Sequence, residues 1–592
     1  MRAKIIISRL SCIAYRTTVV ILFVAMAPAP AAADKRLLWG DTHLHSSYSA
    51  DAYLSGNFSA DPDTAYRYAQ GLPVIHPYHR ARVRIGTPLD FLVVSDHAEF
   101  LGGIRALHRG EVERGELGFV DGLVSRGAQQ MFRLLLRDGY AMDIFDRLSA
   151  QPGDPSARAA ELAENGAPSL PGQRSIITTA WQEIAHSADN HNAPGVFTAL
   201  IGWEWTATPG GANLHRIVIT DGDAASAGTY LPYSRDDSAY PEDLWRWLED
   251  TSGKSGADFV AIPHNSNLSK GYMFPERTLR NADFTADYLA LRARWEPVVE
   301  ATQIKGDSET HPELSRNDPF ADFERYGFYI QAYPTAYKPR PGDFVRPALK
   351  RGLALEASSG VNPYAFGLIG STDSHTGLAS AEEDNFHGKL ARDSIPANKP
   401  RGIGNEGSAS GWDMSASGLA AVWAEDNTRE AIVAALRRRE VYATTGPRIA
   451  LRVRAGWGDL GVYVPMGAEL PPTAPAAAAP TLLIEALQDP RGAALERLQV
   501  VKGWLDADGN THEEVVDAGV APQGQASFSV AWQDRDFNPA HSAFYYVRVL
   551  QVPTPRHSTL DAQALGVGAP AQFPERIRER AYSSPVWYRP PL

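Results

Sequence analysis

The sequence predicts an α/β protein in which short buried strands alternate with helices, followed by a smaller β-rich region. Three observations carry this. Apolar runs of four to eight residues recur along the chain, the length and texture of strands buried on both faces. Helical patterns lie between them, the alternation of an α/β layer architecture. Past about residue 450 the pattern changes to alternating strands and turn residues.

Taken in order, the apolar runs end in residues able to do chemistry. Leu37–Gly40 leads into Asp41-Thr42-His43-Leu44-His45, Asp90–Ser95 into Asp96-His97, and Phe197–Trp203 into Glu204. Phe259–Pro263 leads into His264, and Phe366–Ser371 into Thr372-Asp373-Ser374-His375. Polar residues at strand C-terminal ends are where an α/β barrel builds its active site. Between the runs, Val124–Leu136 and Glu242–Leu248 carry helical spacing, and Asn427–Glu440 reads as a helix capped by Asn427 or Thr428. Residues from about 101 to 175 are helix-prone without a strand-end motif, which suits a helical insertion or lid. After the Pro/Ala stretch Pro471–Pro480, the segments Arg497–Trp504 and Ala543–Leu550 alternate like strands, and Asp508-Gly509 marks a hairpin. Residues 34–450 are therefore expected to form the main domain and 451–592 a small, sandwich-like β domain.

The N-terminus reads differently. Arg2, Lys4, Arg9 and Arg16 precede the apolar run Val19–Met26, and Ala31-Ala32-Ala33 offers a cleavage site before Asp34. This is the pattern of a secretory signal over residues 1–33; an N-terminal membrane anchor is the competing reading. No later segment has the unbroken apolar length of a membrane span, so a periplasmic or secreted protein without a stable span is expected. Cys12, the only cysteine, lies within the signal, which leaves neither disulfide nor thiolate ligand after cleavage. Cleavage also removes four basic and no acidic residues, moving the formal charge from −12 to −16. Such a surface repels nucleic acid at long range, so no nucleic-acid partner is expected. An anionic substrate needs local compensation, which bound cations supply.

Of 16 histidines, six stand at strand ends: His43, His45, His97, His215, His264 and His375. Asp51, Glu204 and Asp373 join them. One strand-end histidine is commonly structural, but desolvating this many groups together is costly unless cations offset it. In His43-x-His45 and Asp373-x-His375, positions i and i+2 of a strand face the same way, so each pair approaches a metal from one side. The donors are all nitrogen or oxygen, which suits zinc, manganese or iron.

In kind and order, His43-x-His45, Asp96-His97, Glu204, His264 and Asp373-x-His375 resemble the motifs of the PHP (polymerase and histidinol phosphatase) superfamily. More closely, Gly40–His45 and Arg439–Ile449 are similar to a large exported PHP-like family catalogued as a domain of unknown function. The resemblance implies a distorted (β/α)7 barrel, two or three divalent metals and hydrolysis of phosphoesters. It implies that His43, His45 and Asp373 hold one metal and that Glu204 bridges to a second, completed by His215 and His264. Asp51, His97 and His375 hold a third, with Asp96 orienting an imidazole rather than ligating. The nucleophile is then a metal-bridging hydroxide acting on a small anionic ester. Arg448, after Thr445-Gly446-Pro447, is the candidate for neutralising phosphoryl oxygens; a structural arginine is its competing reading. The same site acting on a C–N or sulfate-ester bond, and a non-catalytic PHP-like module, are the alternatives.

Two further signals are set aside. Gly402–Gly407 matches a dinucleotide-binding pattern but lacks the flanking strand and helix. His76-Pro77-Tyr78-His79, and His186 with His191, fall outside the strand-end pattern and read as loop and surface residues.

Overall fold

The computed structural model describes residues 35–111, 130, 131, 134, 151–166, 172–331, 333–402, 409–458, 461–471 and 478–591. The export signal expected at 1–33, most of Val124–Leu136 and most of Gly402–Gly407 lie outside the described residues. So does much of the expected insertion, of which the helices Gly103–Arg109 and Pro155–Asn165 and the start of Gln173–His191 are seen.

The apolar runs form strands. Arg36–Leu44 lies at the heart of a 12-stranded sheet, parallel to Phe91–Val94 on one side and antiparallel to Leu419–Ala424 on the other. Thr198–Trp205 continues in parallel beyond Phe91–Val94, and Arg216–Thr220 and Phe259–Pro263 follow antiparallel. Val298–Gln303 and Gly367–Gly370 pair in parallel within a separate three-stranded sheet.

These pairings give a mixed α/β fold; among the described residues they do not form one continuous hydrogen-bonded ring. The main sheet ends at Phe259–Pro263, which shares no ladder with Val298–Gln303 among the described residues. At the other junction only the end of Gly367–Gly370 reaches the first strand, through the Leu44–Ser374 bridge and a His45 N–H donating to Ser374 O at 2.9 Å. The reason is local: Leu419–Ala424 already occupies the Arg36–Gly40 half of the first strand.

The two sheets nonetheless share a core. Leu38, Phe91, Val93, Leu200, Ile217, Ile219, Val260, Ile262, Val298 and Ile369 form one buried apolar cluster with Ile432, Val433 and Leu436. The last three belong to the helix Arg429–Arg438, whose N-cap is Thr428, its side chain accepting from Ala431 N at 3.2 Å. Arg429 pins that helix to the sheet, its Nε donating to Ala199 O at 2.8 Å. Burying each large aliphatic side chain in such a cluster contributes about 1.5–3 kcal/mol. Three candidate ligands continue the line of these strands: Glu204 lies four residues beyond Leu200, His215 two before Ile217 and His264 two beyond Ile262. Even spacing keeps a strand residue on one face, so the apolar layer leads directly into the polar one.

Residues 451–592 divide between two places. Ala450–Gly456, Tyr463–Pro465, Thr481–Leu487 and Ser527–Gln533 form a four-stranded antiparallel sheet. Leu495–Leu505, Thr511–Gln525, Ala543–Gln551 and Arg580–Ser583 instead extend the main sheet from Val441–Thr444. Buried ion pairs fasten this extension: Arg346 and Arg548 both reach Asp318, at 2.8 and 2.7 Å. The expected hairpin is present, with Gly509 at φ 82° between Leu495–Leu505 and Thr511–Gln525. No described helix is long and apolar enough to cross a membrane.

Candidate metal centre

The structure brings nine of the ten proposed site residues together. His43, His45 and Asp373 form one group whose donor atoms lie within 4.8 Å of one another; His43, Glu204 and His264 form a second; His45, His97 and His375 form a third. His215 Nδ1 stands 2.6 Å from Glu204 Oε1, and Asp51 Oδ2 stands 3.2 Å from both His97 Nε2 and His375 Nδ1. Glu204 is the hub. Its Oε1 faces His215 and His264, and its Oε2 lies 3.0 Å from His97 Nδ1 and 3.2 Å from His45 Nε2.

Arg448 is not among them. Its Nη2 donates to Thr87 O at 2.7 Å, and its backbone N–H donates to Asp489 Oδ2 at 2.8 Å. It lines a separate cavity of about 340 Å³ with Glu382, Asp489 and Arg491. Gly446, at φ 131°, turns the chain two residues before it.

Hydrogen bonds behind the rings fix what the rings present. Ser49 Oγ donates to Asp96 Oδ1 at 2.8 Å, so it must accept from His45 Nδ1, also at 2.8 Å. His43 Nδ1 meets Glu300 Oε1 at 3.0 Å. With Glu300 ionised, as cations bound beside it would hold it, both rings carry their proton on Nδ1 and turn bare Nε2 atoms inward. Those two Nε2 atoms are 3.1 Å apart. Two lone pairs facing each other at that distance repel unless a cation lies against them.

The rest of the donor set fits a cation equally well. Glu204 Oε2, His264 Nδ1 and His375 Nδ1 are buried without a hydrogen bond. Such orphans are costly in a native core. Burial pushes Glu300 well above the usual carboxylate range, with Asp373, Asp41 and Glu204 adding to it. Burial likewise raises Asp41 to about 7. Burial opposes the charge on Glu204, yet His97, His264 and His215 hold it well below the usual range. His215 is brought down to about 4 and His375 to about 3, chiefly by burial, so both are neutral at pH 7, the form in which an imidazole can ligate.

Four contributors were not read from the sequence: Glu300, Gln303, Lys305 and Lys389. Gln303 Nε2 donates to Asp373 Oδ2 at 2.7 Å, Lys305 Nζ donates to the same oxygen, and Lys389 Nζ donates to Oδ1. Asp373 Oδ2 is thus fully engaged, while Oδ1 faces the Nε2 atoms of His375, His43 and His45 at 3.3, 3.4 and 3.5 Å. Asp373 sits at φ 50°. This left-handed turn is tolerated by aspartate, and it lets Asp373 N donate to His43 O at 2.7 Å. Burial opposes the charge on Lys305, but Asp373 holds it above its usual value; burial brings Lys389 down to about 7.

A second group of imidazoles was set aside in the sequence, and His387 joins it: His76, His79 and His387 come within 4.8 Å. Here the backing is reversed. Tyr78 N donates to His76 Nδ1 and Ala81 N to His79 Nδ1, both at 3.1 Å. The remaining proton of each neutral ring then lies on Nε2, which cannot ligate.

Fold and centre together define a mixed α/β protein with a buried histidine–carboxylate cluster of metal-binding type. The sequence pattern of the family described as "Protein of unknown function (DUF3604)" matches residues 32–523 and 520–590. The chain belongs to this family. None of the curated proteins matches it. Among solved structures it is similar to a two-domain protein from Bacteroides vulgatus ATCC 8482 that contains a predicted PHP-like metal-dependent phosphoesterase. That match has 9% identity, covers 87% of this chain and 92% of the other, and has a TM-score of 0.28.

Proposed function

We propose that this protein is an exported, metal-dependent hydrolase that cleaves phosphate esters. The observation that carries the metal reading is the pair of bare Nε2 atoms of His43 and His45, 3.1 Å apart and each backed by an acceptor on Nδ1. His43, His45 and Asp373 would hold one divalent ion. Glu204, with His215 and His264, would hold a second, and Asp51, His97 and His375 a third. Zinc, manganese or iron suits these donors. Bound there, such ions supply a water of lowered pKa and a Lewis acid for the ester oxygens.

The chain's own residues set the geometry for that chemistry. Glu204 presents one oxygen to each side of the cluster, which holds the two sides at a fixed spacing. Ser49 and Glu300 lock two imidazoles in their ligating tautomer. Asp51 and His97 form the more open rim, at 18 and 13% side-chain exposure against 0–2% for His43, His45, Glu204 and Asp373. The rim is therefore the side from which a substrate enters. Phosphorus as the centre attacked is supported by the resemblance of the strand-end motifs to PHP phosphoesterases, and export by the pattern of residues 1–33.

The test is metal analysis of protein purified without chelator, followed by a panel of chromogenic phosphate monoesters, phosphate diesters, sulfate esters and amides. Bound divalent metal and phosphate release are expected. Cleavage of another bond with no phosphate release overturns the phosphoester assignment, and metal-free protein that cannot be loaded overturns the metal assignment.

A further inference from the structure

Two basic side chains at the edge of the centre do not act as metal ligands. Lys305 follows the strand Val298–Gln303, and Lys389 lies in the segment after His375. Both are nearly buried, at 7 and 5% exposure. Lys305 Nζ donates to Asp373 Oδ2; Lys389 Nζ donates to Oδ1 and, at 2.5 Å, to the Asp373 carbonyl. The Lys389 backbone is held as well, its carbonyl accepting from His375 N at 2.9 Å. Both amino groups are thus fixed to the loop that carries two candidate ligands.

Anchoring Asp373 does not require them. Gln303 Nε2 at 2.7 Å and Asn265 Nδ2 at 3.4 Å already engage Oδ2 with neutral donors. Burying a lysine is expensive, and one carboxylate shared by two lysines does not offset both. Lys389 also stands on the oxygen that lies 3.3 to 3.5 Å from three imidazole Nε2 atoms. Three bound dications together with the two lysines would carry more positive charge than Asp41, Asp51, Asp96, Glu204, Glu300 and Asp373 balance. Each Nζ has three hydrogens, and Lys389 places two of them on Asp373. Unspent donors and surplus positive charge, side by side, are what an anionic head group needs.

We propose that Lys305 and Lys389 form an anion-recognising edge of the centre, which favours the doubly charged head of a phosphate monoester over the singly charged phosphate of a diester. This rests on the phosphoesterase reading and narrows it to a substrate class.

The test uses metal-loaded full-length protein. In the unmodified chain, calorimetry should show inorganic phosphate binding at least about tenfold more tightly than dimethyl phosphate; equal affinities overturn the proposal. Lys305→Gln and Lys389→Gln should keep their metal content while phosphate affinity falls about 10- to 100-fold, the range for a charged hydrogen bond. Their kcat/KM for p-nitrophenyl phosphate should fall at least tenfold further than for bis(p-nitrophenyl) phosphate, and Lys389→Arg should restore part of the loss. Unchanged phosphate affinity, equal losses on both esters, or losses that follow metal content assign the lysines a structural role and overturn the proposal. Turnover of phosphoesters with unchanged phosphate affinity in the variants leaves the phosphoesterase reading standing without this edge. Lysine-dependent phosphate binding with no phosphoester cleavage does the reverse.

Discussion

Glu204→Gln is the most direct probe of the centre. The substitution keeps size and shape and removes one negative charge, so the fold should survive. Glu204 Oε1 stands 2.6 and 3.1 Å from His215 and His264, and Oε2 stands 3.0, 3.2 and 3.5 Å from His97, His45 and His43. Among the described residues no other carboxylate forms ion pairs with all these rings. At an effective dielectric near 20, one unit charge at about 4 Å from another contributes about 4 kcal/mol, and a bridging carboxylate lies closer than that to two dications. A loss of about 4 kcal/mol corresponds to roughly a thousandfold in affinity. The glutamine amide also turns N–H donors toward bare nitrogens that a metal would otherwise meet. The variant should therefore lose at least one equivalent of metal by elemental analysis, and kcat/KM should drop about a thousandfold, with unchanged circular dichroism. A variant that keeps its full metal complement and near-normal turnover would refute the bridging role and the geometry it was inferred from.

Three other outcomes follow from the same geometry. Ser49→Ala removes the acceptor that fixes the His45 tautomer and breaks its link to Asp96, so metal affinity by competitive titration should fall about 10- to 100-fold, whereas a Thr replacement should lose less. His557, buried, is brought down to about 4, while its unfolded counterpart protonates near 6.5. Its neutral form thus favours the folded state above pH 6.5, and that contribution is lost as the pH falls toward 4, amounting to roughly 3 kcal/mol. Denaturant melts of wild type and His557→Asn across pH 4–7 should show a flatter acid dependence in the variant; parallel curves would exclude this contribution. His79→Ala should leave the metal stoichiometry unchanged, because the cluster it belongs to presents ring N–H groups rather than lone pairs.

Much of the strand inventory was legible because each strand announces itself locally. Phe91–Val94 and Phe259–Pro263 are continuous apolar runs, and position at a run's end marked His97, Glu204 and His264. Pairing was not legible, since it is chosen between distant segments. Nothing within Leu419–Ala424 states that it will cover half of Arg36–Leu44, and nothing in Arg580–Ser583 states that it will extend Val441–Thr444. The site shows the same divide. Glu300 sits inside Val298–Gln303 (VVEATQ), where a buried glutamate breaks the apolar texture that marked the other strands. Its one local signal is that break. Lys389 comes from an irregular segment with no period at all, and only the fold brings it to Asp373. Arg448 shows the converse: its sequence position after a Gly-Pro turn is suggestive, but the turn directs it to Thr87 and Asp489.

The contrast between the two histidine clusters shows why proximity alone does not define a metal centre. In both, imidazole nitrogens gather within 4.8 Å, and in each, burial brings one ring down, His76 to about 3 and His375 to about 3. What differs is the group behind each ring. At His45 the hydroxyl of Ser49 is itself committed to Asp96, so it can only accept, and the proton stays on the far nitrogen. At His76 and His79 a backbone N–H occupies that far nitrogen, so the proton moves to the near one. One arrangement turns lone pairs into a shared space; in the other, the Nδ1 lone pairs of His76 and His79 are already spent on backbone N–H groups. Residues one shell out therefore decide which cluster attracts a cation. Asp96 does this at two removes, through a serine that a search for ligand residues passes over.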